Sequence, residues 1–158
     1  MLDDMLAVWR THCAINRFML EHIAESGLQA IPLLKTGQPG RGRNVARVFA
    51  HMVEVRLSHM RAAEQRAAGV GEFEKGATPA RAELLAALAA SDAAVSAQLA
   101  RLVESGGLVH GRGPLNLLGY LISHESHHRG QIMLALKQSG VSLSDDLRWG
   151  LWSMWFKD

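Results

Sequence analysis

Four long stretches of the chain repeat apolar residues with a period near 3.6, the spacing of an amphipathic helix. Breaks rich in glycine or proline separate the stretches, and no segment alternates apolar and polar residues as a half-buried strand does. These patterns predict an all-α fold, a four-helix bundle followed by a short aromatic C-terminal segment. The predicted helices cover about Leu2–Ser26, Asn44–Ala68, Pro79–Glu104 and Leu115–Gln138.

Individual residues mark several of the predicted helix ends. Thr78 followed by Pro79 places a hydroxyl at the N-cap and a proline at the first position of helix three. Pro114 marks the start of helix four, and Gly140 marks its end. The tail that follows is aromatic, with Trp149, Trp152, Trp155 and Phe156. Their spacing predicts a short helix or turn that packs one aromatic face onto the bundle.

The size and charge of the chain narrow its class. At 158 residues it is long enough for one sizeable core, and we predict a single domain over residues 1–158. A net charge of +2 is too weak to favour nucleic acid or a membrane as the main partner. The N-terminus carries aspartates where a signal peptide has basic residues, and no stretch approaches 18 uninterrupted apolar residues. Because a single cysteine, Cys13, forms no internal disulfide, we expect a cytoplasmic protein.

The segment HESHH at residues 124–128 contains two motifs at once. H-E-x-x-H is the signature of zinc peptidases, whereas H-x-x-x-H is a pair of metal ligands one helical turn apart. The extended peptidase motif requires glycine at position 131 and histidine at position 134, where this chain has Gln131 and Leu134. Glu125 also falls one residue off the predicted core-facing seam of helix four, so a peptidase is disfavoured. That seam consists of Leu117, Leu121, His124, His128, Gln131 and Ala135.

Two histidines of this seam stand where core residues are expected. Side chains four residues apart lie on one face of a helix, so His124 and His128 can reach a common point. Catalytic zinc usually takes three protein ligands and keeps one position open. His51 of helix two also stands at an apolar position, in the stretch VFAHMVEVR. A three-histidine metal site across helices two and four is the simplest construction, and the alternative for each residue is an ordinary hydrogen-bonded core histidine.

Several polar residues are candidates for the surroundings of this site. His127 is rotated about 60° from His124 and is predicted to support a ligand or to lie at an interface. Gln131, Asn16 and Tyr120 are candidate pocket walls, together with the tryptophans of the tail. The alternative is that the amides are ordinary buried groups bonded to backbone, and that the aromatic residues are plain core.

The remaining features favour simpler interpretations. Three arginines form a basic cluster that could contact the acidic group of a substrate or thiol cofactor, although such a cluster is more often a solvated loop and helix start. They are Arg41, Arg43 and Arg47. Cys13 is predicted to be a small buried hydrophobic residue. Three histidines have no partner pattern, namely His12, His22 and His110, and His59, two turns beyond His51, is expected at the rim of the site or in solvent.

Four segments together resemble the DinB-like (DinB/YfiT) family of metalloenzymes. They are INRFMLEHI, VARVFAHMVEVR, ISHESHHRGQIMLALKQSG and WGLWSMW, and the resemblance spans nearly the whole chain. It implies a four-helix bundle that holds zinc, nickel or iron through His51, His124 and His128. It further implies a homodimer. Some relatives transfer low-molecular-weight thiols, and one branch includes a maleylpyruvate isomerase.

Three neutral imidazoles leave a bound dipositive ion with its full charge, so a water or thiol at an open position is strongly acidified. This chemistry supports an enzyme acting on a small molecule, either a thiol S-transferase or a hydrolase, and the resemblance favours the thiol transferase. The sequence identifies no catalytic residue beyond the ligands. The alternatives are a non-catalytic metal-binding stress-response bundle and an interaction scaffold without metal. A structural zinc site usually has a fourth protein ligand, and the sequence indicates none.

Overall fold

The structure is a computed structural model that describes residues 1–62, 73, 74, 76, 78–141 and 143–156. Within these residues it contains five α-helices, a single 3₁₀ turn at Glu25–Gln29 and no strand. The helices are α1 (Leu2–His22), α2 (Val45–Ala62), α3 (Arg81–Ser105), α4 (Pro114–Gln138) and α5 (Asp145–Ser153). The prediction of an all-α fold is therefore confirmed. The first four helices are long and the fifth has nine residues.

Some helix ends follow their local signals and others do not. Pro114 occupies the first turn of α4, and Gly140 adopts a left-handed φ of 71° just beyond its end, as predicted. The first helix ends four residues earlier than predicted, since Ile23 is already extended. The end of helix two predicted at Ala68 lies outside the described residues. The break predicted over residues 69–77 is also mostly outside them.

The predicted cap of α3 is wrong, because the helix begins at Arg81 rather than at Pro79. The Thr78 hydroxyl accepts a hydrogen bond from the Asn44 side chain at 3.0 Å instead of capping the helix. Arg81 donates to the backbone oxygens of Leu20 and Ile23 at the end of α1. Contacts with another helix therefore fix where α3 starts.

Two apolar clusters fill the interior, one toward each end of the bundle. Residues such as Leu20, Phe49 and Leu88 belong to the first cluster. Residues such as Trp9 and Leu121 belong to the second. Both α1 and α2 pack most extensively on α3, while α4 contacts the other three long helices. Buried polar residues at intermediate positions of all four helices separate the clusters. We call this set the polar layer: His12, Asn16, Arg56, Ser91, Asp92 and Glu125.

The last helix turns its aromatic residues away from the bundle. Leu147 is buried, and a Cβ on Gly150 would lie only 2.6 Å from the Phe18 ring, so this side of α5 faces α1. Trp149 and Trp152 lie on the other side and are 69% and 67% exposed. The predicted packing of an aromatic face onto the bundle is therefore wrong.

Among the described residues, α3 is the one helix long and apolar enough to cross a membrane by length and composition. Its most apolar 18-residue window has a mean hydropathy of 1.2. Core helices of soluble proteins pass the same test. In this fold α3 lies against three other helices and buries the polar side chains Ser91, Asp92 and Gln98.

Candidate metal centre

The structure brings together the three histidines that the sequence analysis singles out. His51 comes from α2, whereas His124 and His128 come from adjacent turns of α4. Each offers one ring nitrogen, and these three atoms lie within 4.8 Å of one another. The ring centroids are 5.4 Å apart for His51 and His124, 4.9 Å for His51 and His128, and 4.4 Å for the α4 pair. The three imidazoles thus form one cluster.

Apolar neighbours on the same helix faces explain why the histidines converge. Val48 is buried one turn before His51, and Ile132 is buried one turn after His128. Because α2 and α4 pack against each other through these faces, the histidines on the same faces meet at the helix interface. His128 is buried, whereas His51 and His124 are partly exposed, so the cluster lies at the rim of the core.

A short hydrogen-bond relay fixes which nitrogen of His128 is free. Its Nδ1–H donates to Oε1 of Gln131 at 2.8 Å, and Nε2 of Gln131 donates to Nε2 of His127 at 2.9 Å. The Nε2 lone pair of His128 therefore points into the cluster, 3.0 Å from Nε2 of His124. Gln131, itself bonded to His127, thus fixes the orientation of the His128 ring from its Nδ1 side.

The other two rings are held less tightly. Nδ1 of His124 is buried and has no hydrogen-bond partner within the described part of the chain. Its ring stacks on Tyr120 with centroids 5.7 Å apart. Nδ1 of His51 lies 3.9 Å from Oε2 of Glu54, which is beyond hydrogen-bonding distance.

All three imidazoles are held in the neutral form. Burial, followed by the positive charge of Arg43, lowers the pKa of His51 to about 4. Burial and the neighbouring His128 lower the pKa of His124 to about 4. Burial also lowers the pKa of His128. Neutral imidazole is the form that binds a metal, so the protonation state of the cluster at neutral pH is compatible with metal binding.

The donor set fits a borderline transition metal. Imidazole suits zinc, nickel and iron, and two nitrogens bound tetrahedrally to one ion at 2.0–2.1 Å are about 3.3 Å apart. The Nε2 atoms of His124 and His128 are already 3.0 Å apart. Because all three ligand nitrogens lie within 4.8 Å of one another, small rotations of the rings bring them to the tetrahedral spacing. Within the described residues, no fourth histidine, cysteine or carboxylate joins the cluster at this distance. Three nitrogens leave coordination positions for other molecules.

A cavity of about 320 Å³ opens beside His128. Its polar side chains belong to Arg43, His128 and Gln131. The rest of the lining is Pro32, Gly42, Val45, Val48, Ile132, Leu134 and Ala135. The cavity is thus a mostly apolar space that reaches one of the three histidines.

Two predicted pocket residues lie elsewhere. Asn16 is fully buried in the polar layer, where its Nδ2 donates to Glu125 at 2.6 Å. Tyr120 stacks on His124 but faces a separate cleft with Ser123 rather than the cavity beside His128. Trp152 and Trp155 of the tail line a different cavity, between α1, α4 and α5. Only Gln131 of the predicted walls lines the cavity at the cluster.

The sequence patterns do not predict the hydrogen-bonding network within the polar layer. Glu125, expected off the core-facing seam, is 0% exposed and forms a bidentate ion pair with Arg56 at 2.6 and 2.7 Å. His12, expected to have no partner, is 2.8 Å from the same carboxylate. Arg56 also donates to Asp92 and, at 2.9 Å, to the Ser91 hydroxyl. One network therefore joins α1, α2, α3 and α4.

Electrostatic interactions keep Glu125, at the centre of this network, ionised. Burial opposes ionisation of Glu125, but the charge and hydrogen bonds of Arg56, with a hydrogen bond from His12, lower its pKa to about 2. Burial lowers the pKa of His12 despite the adjacent carboxylate, so His12 acts as a neutral donor. The chain offers one sequence signal for this network. His12 and Asn16 are four residues apart on the buried stripe of Trp9.

The fold and the cluster define a helical bundle with a three-histidine candidate metal site. The DinB family matches residues 1–154 of the 158-residue chain. The protein therefore belongs to the DinB family, which confirms the resemblance seen in the sequence. A search of curated proteins finds none that matches the chain.

Proposed function

We propose that this protein is a metal-dependent enzyme that transfers a low-molecular-weight thiol to a small electrophile. The observation that carries the proposal is the cluster of three neutral imidazoles beside an apolar cavity, with no fourth donor of the same kind in the described residues. A closed structural site would have that fourth ligand. Family membership supports the proposal, since the resemblance implies thiol transfer in some relatives.

Each residue of the site has a distinct role in this proposal. His51, His124 and His128 would hold a divalent ion, which would supply Lewis acidity that lowers the pKa of a thiol or water. Gln131 keeps Nε2 of His128 unprotonated through the 2.8 Å bond to Nδ1. Val48 is one of the apolar walls that exclude water from the reacting groups.

The transfer balances without an added oxidant or reductant. The thiol sulfur forms a bond to the electrophilic carbon, and the leaving group departs with its bonding electron pair. The thiol proton passes to solvent at the open mouth of the cavity. Hydrolysis is the second candidate, because the same acidity activates water, and it differs only in the nucleophile.

Metal analysis of untagged protein tests the site itself. We expect about one equivalent of zinc, nickel or iron in the wild type, lost in His51→Ala and in His128→Ala. His22→Ala is the matched control, because His22 is exposed and bonds to the Phe18 oxygen outside the cluster. Absence of metal from the wild type, or equal loss in the control, refutes the site.

Turnover assays separate the proposed activities. Thiols such as cysteine and glutathione are assayed with 1-chloro-2,4-dinitrobenzene, and hydrolysis is assayed with 4-nitrophenyl acetate. Thiol transfer that disappears in His128→Ala supports the proposal, and metal-dependent ester cleavage alone supports the hydrolase. A stoichiometric metal with neither activity favours a non-catalytic stress-response bundle.

Two further properties belong to the proposal. We propose a homodimer, in keeping with the resemblance, and Trp149, Trp152 and Phe156 offer exposed apolar surface for association. Light scattering coupled to gel filtration measures the oligomeric state. We also propose a cytoplasmic location, since Cys13 is a free thiol in the core.

A further inference from the structure

An arginine lines the cavity beside His128. Arg43 lines this cavity and forms no ion pair with any carboxylate in the described ranges. His128, one of the three histidines of the cluster, lines the same cavity. A small molecule in this cavity can therefore contact both Arg43 and the cluster.

Arg47, in the first turn of α2, is already paired with a carboxylate. Nη2 of Arg47 donates to Glu54 at 3.2 Å, and Arg47 does not line the cavity. The backbone N–H of Val45 bonds to the Ala30 oxygen at 3.0 Å, and the N–H of Arg47 bonds to the Asn44 side chain at 2.9 Å. The helix terminus thus has few free donors for a phosphate, and within the described part of the chain Arg43 is the cation that lines the cavity.

Hydrogen bonds of other residues fix the backbone of the loop that carries the exposed Arg43. The Gly40 N–H donates to the Pro32 oxygen at 2.9 Å, and a Cβ at Gly40 would lie 2.7 Å from that oxygen. The Leu33 N–H donates to the Gln138 side chain at 2.8 Å, which ties the loop to the end of α4. These bonds anchor the loop near the cavity, so less ordering is needed when Arg43 binds a ligand.

We propose that Arg43 determines specificity by binding the carboxylate of a small monocarboxylic substrate whose apolar body fills the cavity. This inference rests on the proposed function, because it names the substrate class of the same site. A guanidinium binds a carboxylate through two parallel hydrogen bonds, and one cation matches one negative charge. The volume of about 320 Å³ lies at the low end for small-molecule pockets, which favours a compact ligand.

Calorimetric titration with hexanoate, acetate and the uncharged hexanamide tests this inference on zinc-loaded protein. Hexanoate should bind the wild type more tightly than either of the others. Arg43→Gln should weaken hexanoate binding about tenfold or more, the usual effect of losing a charge-assisted hydrogen bond. Arg41→Gln is the matched control, because Arg41 belongs to the same loop but does not line the cavity. It should bind hexanoate as the wild type does.

A metal-free His51→Ala protein distinguishes recognition by Arg43 from coordination of the carboxylate by zinc. Binding that persists in His51→Ala and falls in Arg43→Gln supports the proposal. Binding lost in His51→Ala but kept in Arg43→Gln overturns it, as does equal weakening by Arg41→Gln and Arg43→Gln. If the wild type binds no zinc, the proposed function fails, and the comparison of hexanoate with hexanamide still tests Arg43 in the metal-free protein.

Discussion

Glu125→Gln removes the negative charge from the centre of the polar layer. Four donor groups point at this carboxylate: two from Arg56 and one each from His12 and Asn16. An amide has a single oxygen, so at least one donor faces the new NH₂ group, and the others lose a charged acceptor. Arg56 keeps Asp92 as its remaining counter-charge.

We expect Glu125→Gln to lower the free energy of unfolding by about 3–5 kcal/mol, the cost of removing one partner from a buried ion pair. For a chain of this size, about 4 kcal/mol corresponds to a fall in Tm of roughly 8–16 °C. Glu25→Gln is the matched control. Glu25 also pairs with an arginine, Arg81, at 2.9 Å, but its side chain is 76% exposed. Loss of the Glu25 charge should therefore lower the free energy of unfolding by less than about 1 kcal/mol.

Urea unfolding followed by circular dichroism measures both variants, with EDTA present so that metal binding does not add to stability. A Glu125→Gln protein whose free energy of unfolding is within about 1 kcal/mol of the wild type would contradict the reasoning.

The dependence of stability on acidic pH provides a second measurement. Because the folded pKa of Glu125, about 2, lies below its ordinary value of 4.5, its charge stabilises the fold above pH 4.5. That stabilisation is lost as the pH falls toward 2, so the variant should lose less stability than the wild type over this range.

Three other predictions concern the cluster and the core. Gln131→Leu removes the acceptor that orients His128, so zinc affinity measured by chelator competition should fall roughly 10–100-fold; unchanged affinity contradicts the role of Gln131. Because the pKa values of His51 and His124 are lowered to about 4, protons should compete little with zinc between pH 7 and about 5.5. A decline in zinc affinity that starts near pH 6.5 would show that the histidines have the ordinary pKa of imidazole and would contradict this prediction. Cys13 is buried and burial raises its pKa, so Ellman's reagent should react with it only after urea unfolds the protein.

The histidine cluster was predictable because it depends on local helical geometry. His124 and His128 lie on one face of any regular helix, and His51 occupies an apolar position of another helix. Their meeting requires only that both apolar faces point to the core. Gln131 is one turn further along the same face, which explains its bond to His128.

The polar layer could not be predicted in the same way. A narrow seam assumes that a helix buries one line of residues, whereas α4 contacts three helices and buries a wider arc. Glu125, about 100° around the helix from His124, falls within that arc. Its partners Arg56 and Asp92 lie more than thirty residues away along the chain, and no periodic pattern relates them.

Tertiary contacts also decided the details that the local patterns missed. Arg81 binds the end of α1, and this fixes the start of α3 after the Thr78 signal. The close approach of Gly150 to Phe18 sets which side of α5 faces the bundle. Neither contact has a signature in the sequence around it.

The distribution of the three histidines along the chain affects when a metal ion can be acquired. During synthesis His51 leaves the ribosome roughly seventy residues before His124, so a nascent chain ending within α3 presents one imidazole of the cluster. A single imidazole binds a divalent ion weakly compared with a complete site. The complete cluster requires α4 to be packed on α2, the arrangement that also places Glu125 against Arg56. A metal ion bound by this cluster would therefore be selected by the folded protein, where geometry can discriminate among ions that an unfolded chain would bind in order of intrinsic affinity.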